Sequence, residues 1–280
     1  MNPRWLILET AARFRECGIP DPVCDSALLL GSVLRRPALE LRLDESTQLS
    51  PEDQAAFSLL AERRLRREPL QYILREAFFF GRPFRVDSRV LIPRPETELL
   101  CEWVLEETPD DASPRVLDLC CGSGCIGITF RLERPRAAVV LTDLSPEALA
   151  VARQNASALG ADVTLLPGDL FEPVEERIFD IILSNPPYIP AAECSSLQEE
   201  VLREPRMALD GGEDGLDFYR RIIAEAPARL SPGGQLYLEL GMGEDQAVRR
   251  LMEQHLFTEI GIRKDYSGIP RIIRGRRPHV

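Results

Sequence analysis

The sequence predicts an α/β fold: a parallel sheet covered on both faces by helices, preceded by a small all-helical segment. Three observations predict it. From about residue 114 onward, short apolar strands alternate with helical patterns, as in consecutive βαβ units. Residues 1–75 instead carry apolar residues at helical spacing, with helix-start signals. A chain of 280 residues with 44% hydrophobic and 28% charged residues suits one large domain, or a medium one plus a small one. That composition excludes a disordered or fibrous chain.

In chain order, Trp5, Leu8 and Ala12 mark the first helix. Asp21-Pro22 offers a second cap with proline in the first turn, and Gly31 reads as its stop. Ser50-Pro51-Glu52-Asp53 repeats the signal, with two acids at the positive helix end. Phe57, Leu60, Ala61 and Leu65 form the apolar stripe of that helix, and Glu68-Pro69 ends it. Residues 76–92 are aromatic and β-branched around a Gly81/Pro83 turn, which predicts a β-hairpin linking residues 1–75 to residues 93–280. A helix is expected from Ile92-Pro93-Arg94-Pro95-Glu96-Thr97-Glu98. Strands are expected at 116–119, 139–142, 163–166, 179–183 and 235–239, with helices from Ser145-Pro146 to Gly160 and from Asp217 to about Leu230. The basic stretch Arg271 to Arg277 reads as well as a solvated tail or edge strand as it does as a phosphate contact.

Scarcity excludes some chemistry. With 34 basic and 45 acidic residues the net charge is −11, so a uniformly basic nucleic-acid footprint is absent. His255 and His279 are the only histidines, which argues against a Ser-His-Asp triad or a histidine-rich zinc site; no metal is expected. Lys264 is the only lysine, so Schiff-base chemistry is not expected. The seven cysteines contain no C-x-x-C pair and read as reduced thiols. No apolar run approaches a membrane span and the first residues lack a leader pattern, so the expected location is the cytoplasm.

The first strand ends in Asp118-Leu119-Cys120-Cys121-Gly122-Ser123-Gly124, and Gly127 follows. A glycine-rich turn between strand and helix lets a ligand approach the backbone closely. Asp143, 19 positions after Gly124 at the end of the second strand, is where an acid grips a ribose diol. The spacing also satisfies a dinucleotide fingerprint, so an NAD-dependent dehydrogenase is one reading. Two features favour S-adenosylmethionine. Asp118 repels a pyrophosphate but suits a cationic amino-acid end, or fixes the loop. After the third strand, Asp169 is placed to accept from an adenine amino group, with Leu170 and Phe171 walling the ring.

The fourth strand runs into Ser184-Asn185-Pro186-Pro187-Tyr188-Ile189-Pro190. The two prolines fix their own φ and restrict their predecessors. The Asn185 side-chain carbonyl and the Pro186 backbone carbonyl form a rigid pair of acceptors for one planar –NH2 group. Tyr188 is suited to stack on a planar amide or base. Such acceptors raise electron density on a delocalised nitrogen and stabilise the positive charge that builds there during transfer of an activated methyl.

Asp118-Leu-x-x-Gly-Ser-Gly, Asp143 and Asn185-Pro-Pro-Tyr188 resemble the methyltransferases that act on adenine or glutamine amino groups. Ile92 to Glu98, Leu70-Gln71-Tyr72, and the segment from Glu204-Pro205 through Ala208-Leu209 to Gly211-Gly212 and Asp214-Gly215-Leu216 narrow the resemblance. Together they resemble the peptide chain release factor glutamine methyltransferases, over essentially the whole chain. The resemblance implies a Rossmann-like S-adenosylmethionine-dependent methyltransferase domain with a mostly parallel seven-stranded sheet, and an N-terminal substrate-docking domain at 1–75. It implies methylation of the glutamine in the Gly-Gly-Gln motif of class I release factors, with S-adenosylhomocysteine as product.

Under it, Asn185, Pro186 and Tyr188 are catalytic, and with Pro187 they bind substrate. Asp118, Cys120, Cys121, Gly122, Ser123, Gly124, Asp143, Asp169, Leu170 and Asn185 hold the cofactor, while Arg94, Thr97 and Glu98 close over its amino-acid end. Partners are then release factors, with no nucleic acid and no membrane, and a monomer is expected. Cys120-Cys121 stand where the family has Gly-Thr, and a β-carbon at Cys120 opposes positive φ. The alternatives are a ribosomal-protein glutamine methyltransferase, an adenine methyltransferase, which would need a basic groove, and a non-catalytic adaptor.

Overall fold

In the computed structural model, which describes residues 1–279, the chain forms two compact units. One comprises Met1–Glu76 with Gln198–Arg203; the other comprises Ala77–Leu197 with the chain from Glu204 onward.

The smaller unit is helical. α1 (Pro3–Glu16) starts where the Asn2 side chain accepts the Trp5 N–H at 2.8 Å and Pro3 occupies the first turn. α2 (Pro22–Leu34) starts at Pro22 as expected, but the Asp21 side chain makes no capping bond. The helix also runs through Gly31, which is not its stop. Gly31 serves a close approach instead: a β-carbon there would lie 2.9 Å from the Arg36 carbonyl oxygen. Arg35, at φ +52°, ends the helix. α3 (Ala38–Leu41), α4 (Pro51–Leu65) and α5 (Leu70–Leu74) complete the unit, α4 capped by Ser50 Oγ accepting the Asp53 N–H at 3.0 Å. Phe14, Leu29, Leu30, Leu41 and Phe57 are buried together. Each such side chain contributes roughly 1.5–3 kcal/mol.

A buried ion cluster ties the second segment to the first. Arg64 Nε lies 2.7 Å from Asp25 Oδ2, and its Nη1 lies 2.9 Å from Glu200 Oε1. Arg67 reaches the other Glu200 oxygen at 2.7 Å.

The larger unit opens with the antiparallel hairpin β1 (Ala77–Phe79) and β2 (Arg82–Phe84). There follow α6 (Pro95–Glu107), β3 (Arg115–Leu119), α7 (Cys125–Glu133), β4 (Ala138–Asp143), α8 (Pro146–Leu159) and β5 (Thr164–Pro167). Then come β6 (Phe179–Ser184), α9 (Asp217–Arg229), β7 (Leu230–Glu239), α10 (Asp245–Gln254), β8 (Thr258–Lys264) and β9 (Pro270–Arg276). The seven-stranded sheet has the order β5-β4-β3-β6-β7-β9-β8. The first five strands are parallel; β9 is antiparallel to both its neighbours.

Strand order reverses at β3. The chain first builds outward through β4 and β5, then returns to place β6 on the other side of β3. This is the switch point at which open α/β sheets leave a crevice beyond the strands' carboxyl ends. Gly124, Asp143 and Asn185 all follow or end strands at that rim.

The basic stretch at 271–277 is neither a tail nor an edge strand. Most of it is β9, held between β7 and β8 with Ile272 and Ile273 fully buried. Its arginines are paired within the chain: Arg271 with Asp265, Arg274 with Glu107 and Arg276 with Glu259.

Candidate active site

The first turn of the site is built by β3 and α7. Gly122 (φ +53°) and Gly124 (φ +79°) both lie in the left-handed region. At Gly124 a β-carbon would come 2.8 Å from Ile128 Cδ1, so glycine there permits close packing of α7 on the sheet. At Gly122 a β-carbon would meet nothing within 4 Å, which leaves this side of the turn open for a ligand to approach. Cys120 takes φ +56° despite its β-carbon, a conformation that costs about 1–2 kcal/mol for an L-residue. Burial pushes the Cys120 and Cys121 thiols up, so at neutral pH they are not thiolate nucleophiles.

Asp143, at the end of β4, shapes the turn from its other side. Its Oδ2 accepts the Gly122 N–H at 2.8 Å and its Oδ1 accepts the Ser145 N–H at 2.9 Å. Burial raises its pKa, partly offset by these two bonds. Each carboxylate oxygen keeps a second lone pair for a ligand hydroxyl. Asp118 is fully buried in β3. Its Oδ2 accepts the Gly127 N–H at 2.8 Å, and its Oδ1 has no partner. Burial pushes its carboxyl up to about 7.

The loop after β6 carries Asn185. Its Nδ2 donates to Thr97 Oγ1 at 3.2 Å. Among the described residues, no donor of the chain is bonded to Asn185 Oδ1 or to the Pro186 carbonyl. Tyr188 donates its hydroxyl to Glu239 Oε1 at 3.3 Å, and its ring packs on the core. The loop is braced by the segment 209–212. Ile189 N–H donates to Leu209 O at 2.9 Å, Gly211 N–H to Ile189 O at 2.8 Å and Ala191 N–H to Gly212 O at 2.7 Å. Glycine at 211 is required by space: a β-carbon there would lie 2.7 Å from Tyr188 Cα.

A cavity of about 270 Å³ lies over these groups. Of the residues expected from sequence, it is lined by Cys120, Gly122, Asp143, Asn185 and Pro187. Asp118, Cys121, Ser123, Gly124, Asp169, Leu170, Pro186 and Tyr188 do not contribute to its lining among the described residues. Leu170 and Phe171 are buried in the core beneath the third βα turn and do not line the cavity. Asp169 is paired with Arg221 on α9 at 2.7 Å. The apolar walls come from Leu91, Leu144 and Phe218.

The Ile92–Glu98 segment also differs from expectation. Arg94 pairs with the buried Glu204, which accepts the Ile92 N–H at 2.9 Å. Glu98 accepts the Phe80 N–H at 2.7 Å. Thr97 Oγ1 accepts from Asn185 Nδ2. These side chains hold loops together. Glu239 itself is 2% exposed and was missed. The signal available was an acid ending the apolar strand Gln235-Leu-Tyr-Leu-Glu239, at the sheet edge where α/β sites form.

Two family models match: the PrmC N-terminal domain over residues 6–74 and the methyltransferase small domain over residues 96–215. The chain is 44% identical to a release factor glutamine methyltransferase of Geobacter sulfurreducens, over 95% of this chain and 94% of that one. It is 40% identical to a protein of the same name from Deinococcus radiodurans, over 99% of each. Among solved structures, a methyltransferase from Pyrococcus furiosus covers 71% of this chain and 91% of its own at TM-score 0.55 and 18% identity. The T. thermophilus 16S rRNA N2 G1207 methyltransferase, solved with AdoMet and guanosine, gives TM-score 0.52 at 21% identity, covering 72% of this chain and 49% of its own. These two likenesses establish a shared fold.

Proposed function

This chain belongs to the release factor glutamine methyltransferase family, and from that premise we propose how it methylates its substrate. A methyl group passes from S-adenosylmethionine to the side-chain amide nitrogen of the glutamine in the Gly-Gly-Gln motif of class I release factors. The observation that carries the reading is Asn185: an amide clamped through its nitrogen by Thr97, at the rim of a cavity, with its oxygen left as an acceptor.

S-adenosylmethionine fits the residues present. Gly122 provides open approach to the turn, Asp143 provides lone pairs for a ribose diol, and Asp118 Oδ1 is a buried acceptor awaiting a cation. Leu144 and Phe218 supply apolar surface for a base. When bound, the cofactor supplies a methyl group activated by a sulfonium.

The chain's own residues do the rest. Asn185 Oδ1 and the Pro186 carbonyl accept the two N–H bonds of the substrate amide and fix its plane. Holding the nitrogen in line converts a bimolecular encounter into a positioned one, worth up to ~7–11 kcal/mol in well-aligned systems. The same two oxygens stabilise the positive charge that accumulates on nitrogen, and the product amide then loses one N–H proton. Residues 1–75 dock the protein substrate, since a small ligand does not require them. Among the described residues no helix is long and apolar enough to cross a membrane, and we place the enzyme in the cytoplasm, acting as a monomer without nucleic acid.

The test is methyl labelling from radioactive S-adenosylmethionine. A class I release factor should be labelled and its Gln→Ala variant at the Gly-Gly-Gln loop should not. Equal labelling of both, or labelling only of a ribosomal protein or of adenine in nucleic acid, refutes the substrate assignment.

A further inference from the structure

Two stretches that stand out in the sequence, Ile92 to Glu98 and Glu204-Pro205 through Ala208-Leu209, meet in the fold. Glu204 Oε2 accepts the Ile92 N–H at 2.9 Å, and its Oε1 accepts from Arg94 Nη2. Arg94 Nη1 in turn donates to the Ile92 carbonyl at 2.9 Å. These three bonds close a ring that holds both backbone polar groups of Ile92. Each end of the ring is one peptide away from a residue lining the cavity, Leu91 on one side and Pro205 on the other. We propose that Arg94 and Glu204 are positioning residues: a clasp that joins the two loop walls of the cavity, and so sets cofactor affinity and the alignment of methyl donor with substrate amide. The inference rests on the reading of this cavity as the methyl-transfer site.

The sheet gives the cavity Cys120, Gly122 and Asp143, at the ends of β3 and β4. Arg89, Val90 and Leu91 come from the link between β2 and α6, and Pro205, Met207 and Ala208 from the long connection between β6 and α9. Neither of these walls belongs to the sheet, so side chains must hold them. Prolines stiffen the chain between clasp and cavity. Pro93 and Pro95 restrict Ile92 and Arg94 to extended backbone, and Arg94 has φ −100° and ψ 145°. Pro205 follows Glu204 directly, with its own φ fixed at −61°. The second wall is tied onward to the Asn-Pro-Pro-Tyr loop, where the Ile189 N–H donates to Leu209 O. A wall that is already fixed need not be ordered by the ligand as it binds.

Stability alone does not call for this pair. The Glu204 side chain is 2% exposed and that of Arg94 31%. Taking a carboxylate out of water is costly, and a buried ion pair often stabilises no better than apolar side chains of the same volume. What the pair adds is geometry. A carboxylate accepts from two donors at once, and a guanidinium presents its donors in a fixed fork. Glutamine at 204 would turn an NH2 donor toward Arg94 or toward the Ile92 N–H. Lysine at 94 would lack the fork that spans Glu204 and the Ile92 carbonyl.

The experiment compares full-length wild type with Glu204→Gln, Arg94→Gln, Arg94→Lys and the Glu204→Gln/Arg94→Gln double variant. Calorimetry with S-adenosylhomocysteine should give a Kd higher by about 3- to 10-fold in each glutamine variant. On a release factor kcat should fall by about 10- to 100-fold, with KM for the factor unchanged, because residues 1–75 dock it. Arg94→Lys should lie between wild type and Arg94→Gln. The double variant should be no worse than the more damaged single variant, because both changes open one clasp. Amide hydrogen exchange reports the opening itself: the Ile92 N–H should exchange faster in each glutamine variant, while amides of β3 and β6 keep wild-type rates. A merely structural pair would lower the melting temperature and leave Kd and kcat of the folded protein unmoved. Wild-type Kd and kcat in a variant whose Ile92 amide has been freed, or losses that multiply in the double variant, would overturn the inference. Should Glu204→Gln fail to fold, the two single variants of the partly exposed Arg94 decide. If wild type leaves release factors unlabelled, the substrate reading fails separately; Kd and amide exchange need no release factor and decide the clasp.

Discussion

Gly211→Ala isolates the brace behind the catalytic loop. Gly211 is not among the glycines with positive φ, so its backbone accepts alanine and the new β-carbon is the whole perturbation. That carbon would lie 2.7 Å from Tyr188 Cα, 2.8 Å from the Tyr188 carbonyl carbon and 2.7 Å from the Gly215 oxygen. All three are backbone atoms, so no rotamer change relieves the overlap. Ordinary contact begins at 3.4 Å, and a gap of 0.7 Å must therefore open between the 209–212 segment and the loop. Tyr188 belongs to the same proline-stiffened tetrapeptide as Asn185, so the displacement is transmitted to the acceptor. A misplacement of about 1 Å costs on the order of 10²-fold in rate; a shift of this size should lower kcat by about 10- to 100-fold. Overpacking should also cost about 1–3 kcal/mol of stability. Steady-state labelling of a release factor measures the first, and denaturant unfolding the second. Cofactor affinity, measured by calorimetry, should not change. A variant that loses stability as expected but keeps wild-type kcat would show that the brace does not set the position of Asn185.

Asn185→Ala should lower turnover by on the order of 10²- to 10³-fold while sparing cofactor affinity in calorimetry; a matched loss in both would assign Asn185 to the cofactor. Asp118, raised by burial to about 7, is neutral below that value and offers an ammonium no charge. Cofactor affinity of the wild type should therefore weaken as pH falls through about 7 and stay flat in Asp118→Asn. Equal affinities one unit either side of that value would remove Asp118 from the binding site. Arg64→Ala strands Asp25 without its buried cation and leaves Glu200 only Arg67; denaturant midpoints should report a loss of about 3–5 kcal/mol. A loss below about 1 kcal/mol, the range of exposed pairs, would mean water replaces the arginine.

What the sequence discloses depends on range. β3 to β6 were readable because each is a short apolar run bounded by turn residues, and α8 because Ser145, Pro146 and Gly160 punctuate it. β9 was hidden by its arginines. Their charges lie on long stems that reach Asp265, Glu107 and Glu259, so a basic stretch can fill an inner strand position. Gly31 misled because glycine near a helix end suits a stop and a close approach equally. Gly122, Asp143 and Asn185, which line the cavity, could be singled out because each is specified by its immediate neighbours. Thr97 and Glu239 lie far along the chain from Asn185 and Tyr188, and their bonds to those two residues exist only after the sheet forms. Leu170 is ambiguous for a similar reason: a leucine after a strand reads the same whether it walls a ligand or fills the core, where it lies here.

Glu200 has a consequence for anyone dissecting this protein. The helical unit is discontinuous along the chain: its counter-ion for Arg64 and Arg67 comes from a hexapeptide encoded far downstream. A fragment ending at residue 76 would leave Arg67 without its carboxylate and Arg64 with Asp25 alone, and grafting this unit onto another enzyme as a leading cassette would do the same. Transplants that carry Gln198–Arg203 along should survive where clean cuts do not.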